Sequence, residues 1–124
     1  MIMNTNVKLI PLVQAIVDGI LEKKGFNVKV LDLTQIPNAV THYFVVCSGN
    51  SDTQNNAICD SVKKFTYEAL DEKPWRTEGT RRAEWILMDY VDVVVHIFLP
   101  RVREYYRLEE LWGDAELIEI DNVK

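Results

Sequence analysis

AEWILMDYVDVVVHIF, residues 83–98, decides the fold. From Glu84 to Met88 the side chains alternate as in a strand, which puts Trp85, Leu87 and Asp89 on one face and Glu84, Ile86 and Met88 on the other. Asp89 to Asp92 is rich in turn-forming residues, and Val93 to Phe98 is a β-branched and aromatic run interrupted by His96. The segment therefore predicts a hairpin, Glu84–Met88 against Val93–Phe98. Its first strand carries a tryptophan and a carboxylate on the same face, an odd mixture for a surface that is wholly core.

Outward from this hairpin the chain alternates helical and strand-like patterns. Leu9, Val13, Ile16, Val17 and Ile20 recur at helical spacing, Lys24-Gly25 stops the helix, and Pro11 must lie near its start because it lacks an N–H. Asn27 to Leu33 reads as a strand. Thr41 to Cys47 is apolar or aromatic almost throughout, as in a strand covered on both faces, and is expected at the centre of the sheet. Ser51-Asp52-Thr53-Gln54 fits a capping box, serine on a free helix N–H and glutamine reaching back. The helix that follows has an expected core stripe of Ile58, Val62, Phe65 and Ala69 and should stop before Lys73-Pro74. Trp75 to Arg82 predicts a loop or short edge element, Arg101 to Trp112 a helix with Tyr105, Leu108 and Trp112 at helical spacing, and Leu117 to Ile120 a last strand. That order predicts a single α/β domain over residues 1–124, a mixed β-sheet flanked by helices.

With 124 residues, 48% hydrophobic and 27% charged, the composition is that of one globular domain able to bury a core without disulfides or metal. No apolar run approaches the roughly 20 residues that span a bilayer, so no membrane association and a cytoplasmic location are the expectation. Cys47 and Cys59 stand in apolar settings and read as reduced core thiols. Fourteen basic against nineteen acidic residues give a net charge of −5. Such a chain repels nucleic acid at long range unless its cations gather on one face, so little or no direct nucleic-acid binding is expected, and a basic protein is the better partner.

W-I-L-M-D-Y-x-D-V-V-V-H-I-F at Trp85 to Phe98, Y-Y-R-L-E-E-L-W at Tyr105 to Trp112 and C-S-G-N-S-D-T-Q at Cys47 to Gln54 together resemble the ribosomal silencing factor, or Iojap-like, family. The resemblance runs over about residues 5–112, in the family's order and spacing. It implies a sheet arranged as in the nucleotidyltransferase superfamily. It implies further a protein that binds the large ribosomal subunit through large-subunit ribosomal protein fourteen and blocks joining of the small subunit, repressing translation with no cofactor and no turnover. Glu78, Trp85, Asp89, Asp92 and His96 fall on matching motif positions and are the implied partner-binding residues, with Tyr90 in the turn as a lesser contact. The family's hairpin usually reads Asp, an apolar or aromatic residue, Gly, Asp. Here Val91 stands where the glycine would be, and because a β-branched residue resists positive φ, the turn is expected to be wider or of another type.

The fold kinship also supplies an enzymatic rival, a magnesium- and nucleotide-dependent transferase using the Gly49 and Ser51 turn for phosphate and Asp89 and Asp92 for metal. Asp89 and Asp92 are three apart, whereas a carboxylate pair on one strand face is two apart, and both are ordinary turn residues. Fold kinship does not carry function. His42 and His96 lack metal-ligand spacing to each other or to a cysteine, so no metal site is expected; in an apolar strand His96 reads first as a hydrogen-bonded core residue. No G-x-S-x-G elbow occurs, and no catalytic residue is assigned. Lys63-Lys64, Arg81-Arg82 and Arg101-x-Arg103 read as solvated surface pairs, with contact to ribosomal RNA as the lesser alternative. A third reading, a homo-oligomerising module or a homodimer when free, follows from how common dimers are and from the self-complementarity open to the same apolar patch.

Overall fold

Pro11 sets where the first helix begins: its fixed φ suits the first helical position, and the hydrogen bond it cannot donate is one that position never makes. In the computed structural model, which describes residues 9–120, α1 runs Pro11–Glu22. Lys24 closes it in the left-handed region at φ 63°, and the Gly25 N–H donates to the Ile20 carbonyl at 3.0 Å. Strands β1 (Phe26–Asp32) and β2 (Tyr43–Ser48) follow, then α2 (Asp52–Leu70), β3 (Arg76–Glu78), β4 (Trp85–Asp89), β5 (Val93–Phe98), the short helices α3 (Pro100–Tyr106) and α4 (Leu108–Leu111), and β6 (Glu116–Ile120). They form a single α/β layer around one six-stranded sheet in the order β3-β4-β5-β2-β1-β6. Only β2 and β5 pair in parallel; every other neighbouring pair is antiparallel.

Thr41 to Cys47 does supply a central strand, with Phe44 and Val46 both buried. Its neighbour β5 is buried on both faces almost as completely, since Val93, Val95 and Ile97 point one way and His96 and Phe98 the other. One face of the sheet lies under α1 and α2, where Val13, Ile16, Ile20, Val45, Ile58, Val62, Ile86 and Met88 form the main core. The two helices approach closely enough that a Cβ on Gly19 would sit 2.8 Å from the Val62 Cα, and the Ser61 hydroxyl donates to the Gly19 carbonyl at 2.7 Å. The opposite face carries a smaller cluster of Leu31, Leu33, Phe44, Val46 and Phe98, covered by Val102, Leu108 and Trp112.

At α2 the Ser51 hydroxyl accepts from the Gln54 N–H at 3.0 Å, as the capping pattern predicts. The glutamine reaches one residue farther back than expected: its Oε1 accepts from the Asn50 N–H at 2.7 Å. Its Nε2 donates to the Lys23 and Lys24 carbonyls, tying the end of α1 to the start of α2. The expected stripe needs correction beyond Val62. Phe65 is half-buried and Ala69 exposed, while Asn55 and Thr66 take the inward positions because each finds a backbone carbonyl to bond, that of Ala83 for Asn55 and that of Glu72 for Thr66.

The helix expected over Arg101 to Trp112 is broken at Arg107, which turns left-handed at φ 48° and separates α3 from α4. Tyr105 is consequently exposed rather than turned inward, while Trp112 packs edge-on to Phe44. Arg103 is not a solvated cation either. It is buried, and its guanidinium donates to the Asn27 carbonyl at 2.7 Å, the Ser48 hydroxyl at 2.9 Å and the Glu109 carboxylate at 2.8 Å. Burial works against ionised Glu109, but the hydrogen bonds and charge of Arg103, with Lys29 adding, outweigh it and hold the carboxyl below its ordinary value. This pair clamps both short helices to the ends of β1 and β2.

Candidate partner-docking surface

Strand β4 alternates half-buried and buried positions, so Ile86 and Met88 enter the main core while Trp85, Leu87 and Asp89 lie on the opposite face. Register extends that face sideways: Glu78 pairs with Leu87, Arg76 with Asp89, and Leu87 with His96. Glu78, Trp85, Asp89 and His96 therefore share one side of the sheet. Trp85 is half-buried, its ring stacked on Phe98 with centroids 5.0 Å apart and tilted against Tyr106 at 4.7 Å. Its indole N–H donates to His96 Nδ1 at 3.0 Å. His96 is only 4% exposed, and burial pulls its pKa down to about 4, so the ring is neutral at physiological pH. With Nδ1 accepting, the proton belongs on Nε2, which has no partner among the described residues. His96 is thus a buried acceptor that fixes the indole's orientation, and it offers almost no surface of its own.

The carboxylates stand around this tryptophan at the sheet's edge and turn. Glu78 lies 3.1 Å from Arg76, and Asp89 accepts from the Val91 N–H at 2.8 Å while facing Arg76 at 3.8 Å. Asp92 is exposed in the turn, 3.6 Å from the equally exposed His42. Val91 adopts the positive φ that a β-branched residue resists, 75°, with the Asp92 N–H donating to the Tyr90 carbonyl at 2.9 Å. The turn is therefore not widened; it is a tight γ-type turn, held by Asp89 and by the Thr41 hydroxyl, which donates to the Val91 carbonyl at 2.8 Å. Tyr90 points to the other face. It is 7% exposed, its hydroxyl lies 3.0 Å from that of Thr66, and burial raises its pKa to about 12. The expectation of a Tyr90 contact is corrected accordingly, since this side chain is core.

A family model described as "Ribosomal silencing factor during starvation" matches residues 6–124. The chain belongs to the ribosomal silencing factor family. "Ribosomal silencing factor RsfS" of Halalkalibacterium halodurans is 40% identical over 112 residues, covering 90% of this chain and 94% of that one. A mouse protein named "Mitochondrial assembly of ribosomal large subunit protein 1" is 32% identical over 90 residues, covering 69% of this chain and 40% of its own length. A crystal structure of a Chromobacterium violaceum protein, 33% identical, superposes with a TM-score of 0.78 over 86% of this chain and 88% of that one.

In this silencing-factor chain the residues of the transferase reading are kept apart. Gly49 bonds to the Phe98 carbonyl at the far end of β5, whereas Asp89 pairs with Val94 at its start, so most of a six-residue strand, on the order of 15 Å, lies between them. Gly49 and Ser51 serve α2 as a turn and N-cap. The silencing-factor surface also contains two further aromatics, of which the sequence reading placed only Tyr105 at helical spacing with Leu108 and Trp112. Tyr105 and Tyr106 pack edge to face at 4.9 Å and, with Trp85, Glu84, Arg101 and Val102, line a hollow of about 400 Å³. Both lie in α3, ahead of the break at Arg107 that takes this helix out of line with Leu108 and Trp112, and a left-handed arginine leaves no mark in apolar spacing. No helix among the described residues is long and apolar enough to cross a membrane.

Proposed function

We propose that this chain docks through the Trp85 face on large-subunit ribosomal protein fourteen and, so held, occupies space that the small subunit needs, repressing translation in the cytoplasm. The observation that carries the reading is Trp85 itself: a rigid, half-buried ring, backed by Phe98 and oriented by His96, on the same face as Glu78 and Asp89. A ring fixed before binding loses little entropy on docking, and a carboxylate rim suits a basic partner. Family membership and the name of the mouse relative favour a large-subunit target. Such a mechanism needs only a surface and adequate affinity, without catalysis or cofactor.

Sedimentation tests it. The protein should travel with isolated large subunits but not with joined ribosomes, and adding it before the small subunit should lower the joined fraction. A large excess of small subunits should restore part of that fraction, because the two compete for one face. Protein riding on joined ribosomes without changing their amount would refute the steric mechanism.

A further inference from the structure

Where the second half of α2 passes the β3 edge, Lys63, Lys64, Tyr67, Lys73, Trp75 and Arg76 line a hollow of about 600 Å³. Trp75 is 73% exposed and Tyr67 52%, the Lys73 ammonium stands 5.6 Å from the Tyr67 ring centre, and the Arg76 guanidinium stands 5.8 Å from that of Trp75. Among the described residues Lys63, Lys64 and Lys73 have no carboxylate within ion-pair distance, whereas Arg76 is held by Glu78 and Asp89. In a chain of net charge −5, this is a local gathering of unneutralised cations, the condition under which an acidic protein can still hold a polyanion. Two open rings lie among them.

We infer that this hollow binds an unpaired RNA strand, with bases stacked on Trp75 and Tyr67 and phosphates at Lys63, Lys64 and Lys73. An acidic peptide would use the cations and leave both rings idle. A duplex keeps its bases stacked internally and out of reach, whereas a single strand alternates aromatic faces with phosphates as this surface alternates rings with cations. The hollow lies at the β3 edge beside α2 and shares with the face proposed for docking only Arg76, which Glu78 and Asp89 hold.

The test is anisotropy of a labelled, unstructured RNA of about eight nucleotides, within the usual span of single-strand sites, titrated with the full chain at several salt concentrations. Binding should saturate, and Trp75→Ala should weaken it roughly 10-fold or more. Lys64→Gln with Lys73→Gln should flatten the salt dependence by about 1.4 logarithmic units per decade, at about 0.7 per lost phosphate contact. Lys23→Gln with Lys24→Gln, equal in charge but elsewhere, should do neither. All of these positions are exposed, and an unchanged melting point verifies the fold of each variant. The inference fails if RNA does not bind at low salt, if Trp75→Ala binds as the native chain does, or if the control pair acts like the hollow pair. It fails equally if a poly-glutamate peptide or a free mononucleotide displaces the RNA as well as unlabelled RNA does, which would make the hollow an acidic-protein or small-nucleotide site.

Discussion

At the scale of single residues, Trp85 and Tyr90 are only five positions apart and belong to different faces of the sheet, so truncating them separates binding from folding. Trp85→Ala should weaken capture by large-subunit ribosomal protein fourteen by about 2–4 kcal/mol, roughly 30- to 1,000-fold. It should lower the melting point by only several degrees, because the ring is half-buried; undiminished capture would locate the docking surface elsewhere. Tyr90→Ala should instead cost about 3–5 kcal/mol of folding free energy, as for a buried aromatic, with binding intact in whatever fraction remains folded. His96 adds a pH dependence. Its pKa falls from 6.5 to about 4 on folding, so between those values the unfolded chain binds more protons than the native one. Stability therefore falls as pH drops through that window, by on the order of 3 kcal/mol, and is indifferent to this group above pH ~7. Urea midpoints at several pH values should follow that course, and His96→Gln should remove it; Glu109 adds its own loss only below the ordinary carboxylate range.

At the scale of elements, what could be read in the sequence tracks how local the cause is. Pro11, the Ser51 cap and the alternation of β4 are local, and each element lies where its residues place it. The inward turn of Asn55 and Thr66 answers to carbonyls on other segments, and the break at Arg107 to the anchoring of Arg103 by Asn27, Ser48 and Glu109; neither shows in apolar periodicity. Val91 shows long-range anchoring prevailing over local preference. Its valine stays at φ 75° because Asp89 and Thr41 hold the turn from both sides. A β-branched residue there costs about 1–3 kcal/mol, so Val91→Gly should raise stability by about 1 kcal/mol and the melting point by a few degrees, measured by thermal denaturation. An unchanged or lower melting point would mean the turn is not strained.

At the scale of the whole molecule, the sequence motifs named most of the proposed face, while the fold decided which of those residues a partner can reach: Glu78, Trp85, Asp89 and Asp92, with Tyr105 and Tyr106 added and Tyr90 withdrawn. The same global view separates the phosphate turn from the carboxylates. Calorimetric titration with magnesium ATP or GTP should therefore be flat, and a saturable signal lost on changing Asp89 and Asp92 to Asn would revive the transferase. The single parallel pairing has a kinetic consequence as well. The hairpin of β4 and β5 can close locally within about 1–10 μs, but Tyr43 meets Val93 only after the chain has looped back through α2, β3 and β4, and such long-range contacts form late. Trp85 and His96 stand on one side of that seam and Phe44, which backs His96, on the other. A half-folded chain thus carries the right residues without the right surface, and the proposed ability to engage a ribosome waits on closure of that seam.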